Sequence, residues 1–514
     1  MSVRSMWGVV LFVAAASAGA AGPPGAGSAE TPHGPAGDRM LADYFRAETA
    51  KLRDAALDGE WKDKAALRRQ LAEMLGLDPM PERTPLNAVV TGVSEHGDVV
   101  IEKLHFQSRP GLYVTANLYR PKAQDGPLPA VLYVCGHSLV KKDGVSFGNK
   151  VGYHHHGGWF ARNGYVCLTI DTLQLGEIEG IHHGTYRYDR WWWNSRGYTP
   201  AGVEAWNGIR AIDYLQSRPE VDGERIGVTG RSGGGAYSWY VAALDERVKA
   251  AVPVAGITDL EDHVVDGCVE GHCDCMFFVN THRWDYPRLV ALIAPRPLLI
   301  SNTDKDPIFP LDGVVRTHAI AREIYKGHDA EKNLGLQITE GPHEDTQELR
   351  IHAFVWFDRH LKGEERVLRD PAEKFLEPEQ LKVFTTLPSD QINTTVDEGF
   401  VPKAAESEVP ESTDRWAATR DEQLAGLREK TFGGWPRDGE SLDLDQGLAA
   451  ERGDLALRTI DFTSQGPFRL RLFVLSRKGL RKPSAVNLHV LREEDWAPLA
   501  EALGLDPSAR PAER

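Results

Sequence analysis

A serine flanked by small residues, Gly230-Arg231-Ser232-Gly233-Gly234, follows an apolar run ending at Thr229 and precedes a helical run. This is G-x-S-x-G in a strand, turn, helix setting, the arrangement that presents a serine hydroxyl for attack on an acyl carbon. The turn is so tight that a Cβ beside the serine would strike neighbouring backbone, which is why the flanking residues are glycines. A serine hydroxyl is a poor nucleophile until a base takes its proton, so the chain must also supply a histidine and an acid to orient it. In the chain order that goes with this motif both come later, each in a loop after a strand. PLLISN from Pro297 leads into Thr303-Asp304-Lys305-Asp306-Pro307, and LGLQIT from Leu334 leads into Gly341-Pro342-His343. Of the 18 histidines, His343 alone ends the last strand-like run, and it is the expected base. Asp304 and Asp306 share the acid loop. Asp306 is the expected acid, because two spacer residues follow Thr303 and Pro307 fixes what comes next.

Acyl transfer also needs two backbone N–H groups aimed at the developing oxyanion. One is expected from Gly233, after the nucleophile, and the other from His137 in the loop Cys135-Gly136-His137-Ser138. The run Trp191-Trp192-Trp193 offers flat aromatic faces of the kind that stack on sugar rings, and it is the expected substrate-binding wall. Asp171 opens a loop at the end of an apolar run and reads as a turn cap. Five cysteines are too few for a disulfide scaffold. Three of them crowd into GCVEGHCDC, where one local disulfide is expected for Cys268, Cys273 and Cys275. His272 with two of these thiols would be the sharper alternative, but Cys-x-Cys lacks the usual zinc-site spacing, so no metal is expected.

These loops need a frame. Between Asp98 and Phe357, strand-like runs alternate with helical ones, the pattern of a doubly wound, mostly parallel sheet covered on both faces. Eight strands are predicted: from Val99, Leu112, Ala130, Tyr165, Arg225, Ala250, Pro297 and Leu334. Helical runs are predicted around His155 to Asn163, Gly202 to Gln216, Gly233 to Leu244, Gly313 to Tyr325 and Gln347 to Leu361. The stretches from Gln174 to Pro200 and from Ile257 to Arg288 are too long for simple loops and read as lids or pocket walls.

The chain has 514 residues, enough for more than one domain, and Lys+Arg 59 against Asp+Glu 74 gives a formal charge of -15. Such a field repels phosphates and anionic lipids, so neither a nucleic-acid nor a membrane partner is expected. Arg4, an apolar run from Trp7 to Ala16 and small residues to Ala21 have the layout of a secretory leader. Residues 1–21 are therefore read as a signal peptide and the protein as secreted or periplasmic. Residues 22–37 read as a linker, 38–97 as a helical segment, 98–365 as the catalytic domain and 366–413 as a second linker. The tail then echoes the start of the catalytic domain: IEKLHFQSRPGLYVTANLYRP from Ile101 matches LRTIDFTSQGPFRLRLFVLSR from Leu457, with Phe106 and Phe462 at an offset of 356. Residues 414–514 thus read as an incomplete second copy, without a nucleophile of its own.

The segments PAVLYVCGH, YVCLTIDTLQLGE, GVTGRSGGG, APRPLLISNTDKDPIFP and GPHEDT resemble the acetyl xylan esterase group of α/β hydrolases. The resemblance covers about Asp98 to Gly363. It implies an α/β-hydrolase fold and removal of acetyl or similar acyl groups from polysaccharides without metal or cofactor. Carried over, the group's triad falls on Ser232, Asp306 and His343. The chain departs from the pattern at Gly233, where better-known deacetylases carry glutamine, and at Thr303, where they carry glycine. Glucuronoyl esterases place an arginine after the serine, whereas Arg231 precedes it. The expected function is an exported serine esterase acting on acylated polysaccharide. The alternatives are a glucuronoyl methylesterase, a serine peptidase of the prolyl oligopeptidase type, and a carbohydrate-binding protein without catalysis.

Overall fold

A computed structural model describes residues 9–14 and 36–503, except 139, 270–271, 369, 406–407, 434–438 and 492. The chain divides into two compact units, one from Thr49 to Gln423 and one joining Met1–Glu48 to Leu424–Arg514. The expected leader and first linker lie outside the described residues, apart from 9–14 and 36–37.

The larger unit is built on nine strands: β1 (Val89–His96), β2 (Val99–Arg109), β3 (Leu112–Pro121), β4 (Leu128–Val134), β5 (Val166–Ile170), β6 (Val221–Arg231), β7 (Val248–Val254), β8 (Leu298–Thr303) and β9 (Leu334–Thr339). Their order is β9-β8-β7-β6-β4-β5-β3-β2-β1. From β9 to β5 every pairing is parallel, and from β5 outward every pairing is antiparallel. This is the α/β-hydrolase fold, with one strand more than the eight expected. The extra strand, β1, is mostly exposed, and its Gly92 coincides with a register shift against β2. With few buried apolar positions, its sequence carries little strand signal.

Central strands buried on both faces read as unbroken apolar runs, as parallel sheets require. Adjacent side chains of β4 point to opposite cores. Leu132 joins Trp206 and Tyr237, while Val131 and Tyr133 join Trp159 and Phe354. The helices that cover the faces are α1 (His154–Arg162), α2 (Pro200–Ser217), α3 (Gly233–Leu244), α4 (Leu311–Lys326) and α5 (Gln347–Phe357). The strand order reverses at β4, between β6 and β5, so a crevice opens beyond the carboxyl ends of these strands.

Two segment readings need correction. Residues 38–97 are not wholly helical: helices Ala36–Asp54 and Lys64–Met74 form, but β1 follows. Residues 366–413 are not simply a linker, because much of this segment is strapped to the sheet. Asp370 O accepts from Trp159 Nε1 at 2.9 Å, Leu381 O from Asn117 Nδ2 at 3.0 Å and Phe400 O from Arg109 Nη1 at 2.9 Å. Buried Glu177 accepts from Val383 N at 2.7 Å and Phe384 N at 2.8 Å. Lys150 Nζ in turn donates to Glu177 at 2.6 Å and to Asp171 at 2.9 Å, which places Asp171 in the scaffold, as expected. The strap is polar and rich in proline, and side chains rather than a backbone ladder hold it, so no periodic signal marks it.

The smaller unit contains β10 (Asp445–Arg452), β11 (Leu455–Gln465), β12 (Phe468–Arg477) and β13 (Val486–Leu491). A further strand, Val9–Ala14, lies between β12 and β13, antiparallel to the first and parallel to the second. In the larger unit β5 lies between β3 and β4 with the same two senses. The partial repeat therefore reproduces the antiparallel half of the hydrolase sheet, and Val9–Ala14 stands where β5 stands in the first copy.

Candidate active site

The nucleophile turn is made by close backbone packing. β6 ends at Arg231, and Ser232 takes φ 61° and ψ −123°, a region that non-glycine residues enter only when their surroundings enforce it. Its N–H donates to Val254 O at 2.9 Å, and its carbonyl accepts from Ala236 N at 3.1 Å as α3 begins. A Cβ at Gly230 would sit 2.1 Å from Val134 O, and one at Gly234 would sit 2.2 Å from the same oxygen. Both glycines are therefore obligatory, as the motif demanded. Gly233 occupies the first position of α3, where N–H groups lack helical partners and the helix dipole favours negative charge. The His137 loop reaches the same place. A Cβ at Gly136 would strike Arg231 O at 2.1 Å, and one at Gly233 would lie 2.8 Å from the His137 ring.

The expected acid and base follow the ends of β8 and β9. His343 Nδ1–H donates to Asp306 Oδ2 at 2.7 Å. Asp306 Oδ1 accepts from Ile308 N at 2.9 Å and Phe309 N at 3.0 Å, so the buried carboxylate is fixed on both oxygens. Asp304 does something else: it accepts from Gly341 N at 2.8 Å at an exposed position, tying the β8 loop to the β9 loop. The two aspartates that the sequence left close together are thus separated by role.

A network that sequence reasoning missed lies behind His343. Asp345 Oδ2 accepts from His155 Nε2 and His156 Nε2, each at 3.1 Å, and Arg350 Nη2 donates to Asp345 O at 2.6 Å. Burial works to raise the Asp345 carboxyl. The imidazoles of His156 and His155 and the Arg350 guanidinium outweigh it and hold the group well below its usual range. Burial, aided by His156, pushes His155 down to about 3, so its contact with Asp345 is a hydrogen bond from a neutral ring. The signal in the sequence was His154-His155-His156 at the start of a helical run.

The walls hold further corrections. Trp191 and Trp192 are 59% and 40% exposed and remain available to a ligand. Trp193 does not: it is buried, packs against Gly184 and donates from Nε1 to Asp397 Oδ2 at 3.0 Å. Three consecutive residues of one helical turn point in different directions, and here one of them faces the core. All five cysteines are free thiols, so the expected local bridge is not formed. His272 packs against the rings of Phe277 and Phe309, and burial pushes its pKa down to about 4. His137, His182 and Cys273 come together instead, with ligand-capable atoms within 4.8 Å of one another. Cys275 Sγ lies 3.7 Å from His137 Nε2. Burial raises the Cys273 thiol, but Cys275 and the two imidazoles beside it prevail and hold it well below the usual thiol range.

Comparison with known proteins agrees with this architecture. The model of the X-Pro dipeptidyl-peptidase (S15 family) matches residues 111–276. YtaP of Bacillus subtilis (strain 168), named as a hydrolase, is 24% identical over 319 residues, 58% of this chain and 100% of that protein. Acetyl esterase Axe7A of Xylanibacter ruminicola is 54% identical over 107 residues, 18% of this chain and 24% of its own length. The chain thus spans only about a quarter of that esterase. Among solved structures, Methylesterase BT1017 superposes with a TM-score of 0.50 at 20% identity, covering 73% of this chain and 81% of that one. The chain has the α/β-hydrolase fold. Within that class it resembles the acetyl xylan esterase group, and the match to Axe7A carries that likeness furthest.

Proposed function

We propose that this protein is an exported serine esterase that removes small acyl groups, acetyl foremost, from polysaccharides. The observation that carries the reading is the 2.7 Å hydrogen bond from His343 to a buried Asp306, on strand ends that follow a strained, glycine-flanked Ser232. In this reaction Ser232 Oγ attacks the ester carbonyl while His343 Nε2 takes its proton. Asp306 holds Nδ1–H, fixing the tautomer and stabilising the imidazolium. The N–H groups of Gly233 and His137 receive the oxyanion. His343 then returns the proton to the departing sugar hydroxyl, and water cleaves the acyl-enzyme by the same steps in reverse roles. Exposed Trp191 and Trp192 offer faces for a sugar chain.

The carbohydrate-ester reading draws support from the names of Axe7A and the methylesterase. Export rests on the leader-like composition of residues 1–21 and competes with the pairing of Val9–Ala14 in the smaller sheet, a strand that leader cleavage would remove. Among the described residues no helix is long and apolar enough to cross a membrane. The test is a panel of acetylated xylo-oligosaccharides, methyl glucuronates and X-Pro peptide amides, read as kcat/KM. Preference for acetyl esters supports the proposal. Preference for the peptide amides would move the protein to peptidases, a class to which one family match points.

A further inference from the structure

The cluster on the wall of the site fits a soft or borderline metal ion better than it fits loose thiols. His137, His182 and Cys273 each offer one ligand atom, and the three atoms lie within 4.8 Å of one another. His182 Nε2 is buried, with no hydrogen-bond partner among the described residues. A buried, unpartnered ring nitrogen costs free energy unless something accepts its lone pair or its proton. Cys275 Sγ approaches His137 Nε2 at 3.7 Å, and Cys275 N donates to Cys273 Sγ at 3.5 Å. Metal-ligand lengths of about 2.0 Å to nitrogen and 2.3 Å to sulfur give a tetrahedral N–S edge of about 3.6 Å, close to the 3.7 Å between Cys275 Sγ and His137 Nε2. Two imidazoles and two thiols are the donor set that selects zinc.

We infer that His137, His182, Cys273 and Cys275 bind a zinc ion that locks the loop after β4 to both long inserts of the catalytic unit. The four residues come from three separate places in the chain. His137 follows β4, His182 sits in the connection from Gln174 to Pro200, and the cysteines sit in that from Ile257 to Arg288. Among the described residues neither insert carries a regular strand that could fix it to the sheet. An ion joining all three holds the walls together and fixes the loop whose His137 amide faces the oxyanion. With four protein ligands the site is closed, so the ion positions groups and does not bind substrate. The inference stands whether or not the substrate is an acetyl ester, because its first readout is metal content.

The experiment uses the full chain, stripped with chelator and reloaded with zinc or cobalt. Elemental analysis should find stoichiometric zinc. The cobalt form should show a thiolate charge-transfer band, weakened in Cys275→Ser and lost in Cys273→Ser. Cys268→Ser lies outside the cluster and should keep both the metal and the band. Where a variant fails to fold, the wild-type chain still decides, since zinc should protect its two clustered thiols from an alkylating reagent and raise its melting temperature. Stripping should lower kcat on an aryl acetate with little change in KM, since the oxyanion amides act only in the transition state. A folded wild-type chain that binds no zinc, or one with Cys273 and Cys275 joined as a disulfide, would overturn the inference. So would zinc retained unchanged in Cys273→Ser.

Discussion

The two sheets of this protein share a pairing register and differ in what covers them. Phe106 pairs with Val114 in the first, and Phe462 with Leu470 in the second, each pair separated by 356 from its counterpart. The register slips at Ser108 in one and at Ser464 in the other, again at the same offset. Val89 opposite His105 likewise corresponds to Asp445 opposite Asp461. Yet β4 is buried along nearly its whole length, whereas β13 is exposed at all but its last residue. Strand pairing alone therefore does not make a hydrolase. The proposed site lies on the parallel half of the first sheet, where α3, α4 and α5 cover the faces and Ser232, Asp306 and His343 follow β6, β8 and β9.

The sharpest way to break the comparison is to remove the group that only one copy has. Ser232→Ala should lower turnover of an aryl acetate by about four orders of magnitude or more, with the circular dichroism spectrum unchanged. A variant that kept a substantial fraction of its activity would remove Ser232 from the mechanism. Next comes Asp306→Asn, expected to cost about four orders of magnitude because the imidazole is then held in the wrong tautomer. Asp304→Asn disturbs only the tie to Gly341 and should cost far less. If the two results came out reversed, the acid would be reassigned to Asp304.

Backbone crowding offers a stability test of the same contrast. Gly230→Ala puts a Cβ 2.1 Å from a carbonyl oxygen in the catalytic sheet and should destabilise the chain by about 4 kcal/mol or prevent folding. Gly426→Ala, in the helix Thr413–Lys430 and with nothing within 4 Å, should stabilise slightly, by about 0.5–1 kcal/mol. Chemical denaturation of both variants reads the difference. Equal effects would mean that the elbow is looser than its contacts imply.

Acid should also act on the catalytic unit. Burial lowers His155 and His263 to about 3 and His360 to about 4, while it raises Asp285 to about 7. As pH falls from about 6.5 to about 5, the unfolded chain takes up protons at the three histidines and the folded chain does not. Asp285 acts in the opposite sense, since the folded chain holds its proton. Among the described residues burial lowers ten histidines in all and raises five carboxyls, Asp171, Glu204, Asp262, Asp274 and Asp285, so the histidines prevail and stability should fall as pH drops through this window. Calorimetry at pH 7 and pH 5 checks the sign, and a higher melting temperature at pH 5 would refute it.

Ser232, Asp306 and His343, the proposed triad, could be picked out because each follows a strongly apolar run, and a run of that kind fixes where a loop begins. The choice between Asp304 and Asp306 rested on spacing, and the structure separates them by which carboxylate reaches His343. What escaped was held by side chains from distant parts of the chain. Asp345 draws on His155, 190 positions away, and Cys275 meets His137 across 138. No local period records such contacts. The tryptophan run misled for a related reason: composition shows that aromatic faces exist, but only packing shows that Trp193 turns inward to Asp397.

The smallest effect should follow from removing the second sheet altogether. The catalytic unit ends at Gln423, and the residues that build the elbow, the acid loop, the base loop and the proposed metal site all lie within Thr49–Gln423. Among the described residues the second unit holds strands equivalent to β1 through β4 and, in Val9–Ala14, a strand in the place of β5, but none equivalent to β6. The elbow follows β6, so among the described residues this copy cannot present a nucleophile. A chain comprising Thr49–Gln423 should therefore keep kcat on a small aryl acetate within about twofold, because every interaction made only in the transition state is retained. On an acetylated polymer it could lose kcat/KM if the second sheet binds sugar, and that would show as a raised KM. Loss of kcat on the small ester by a folded chain would mean that the partial copy completes the active site, and the division into a working and an inert sheet would fail.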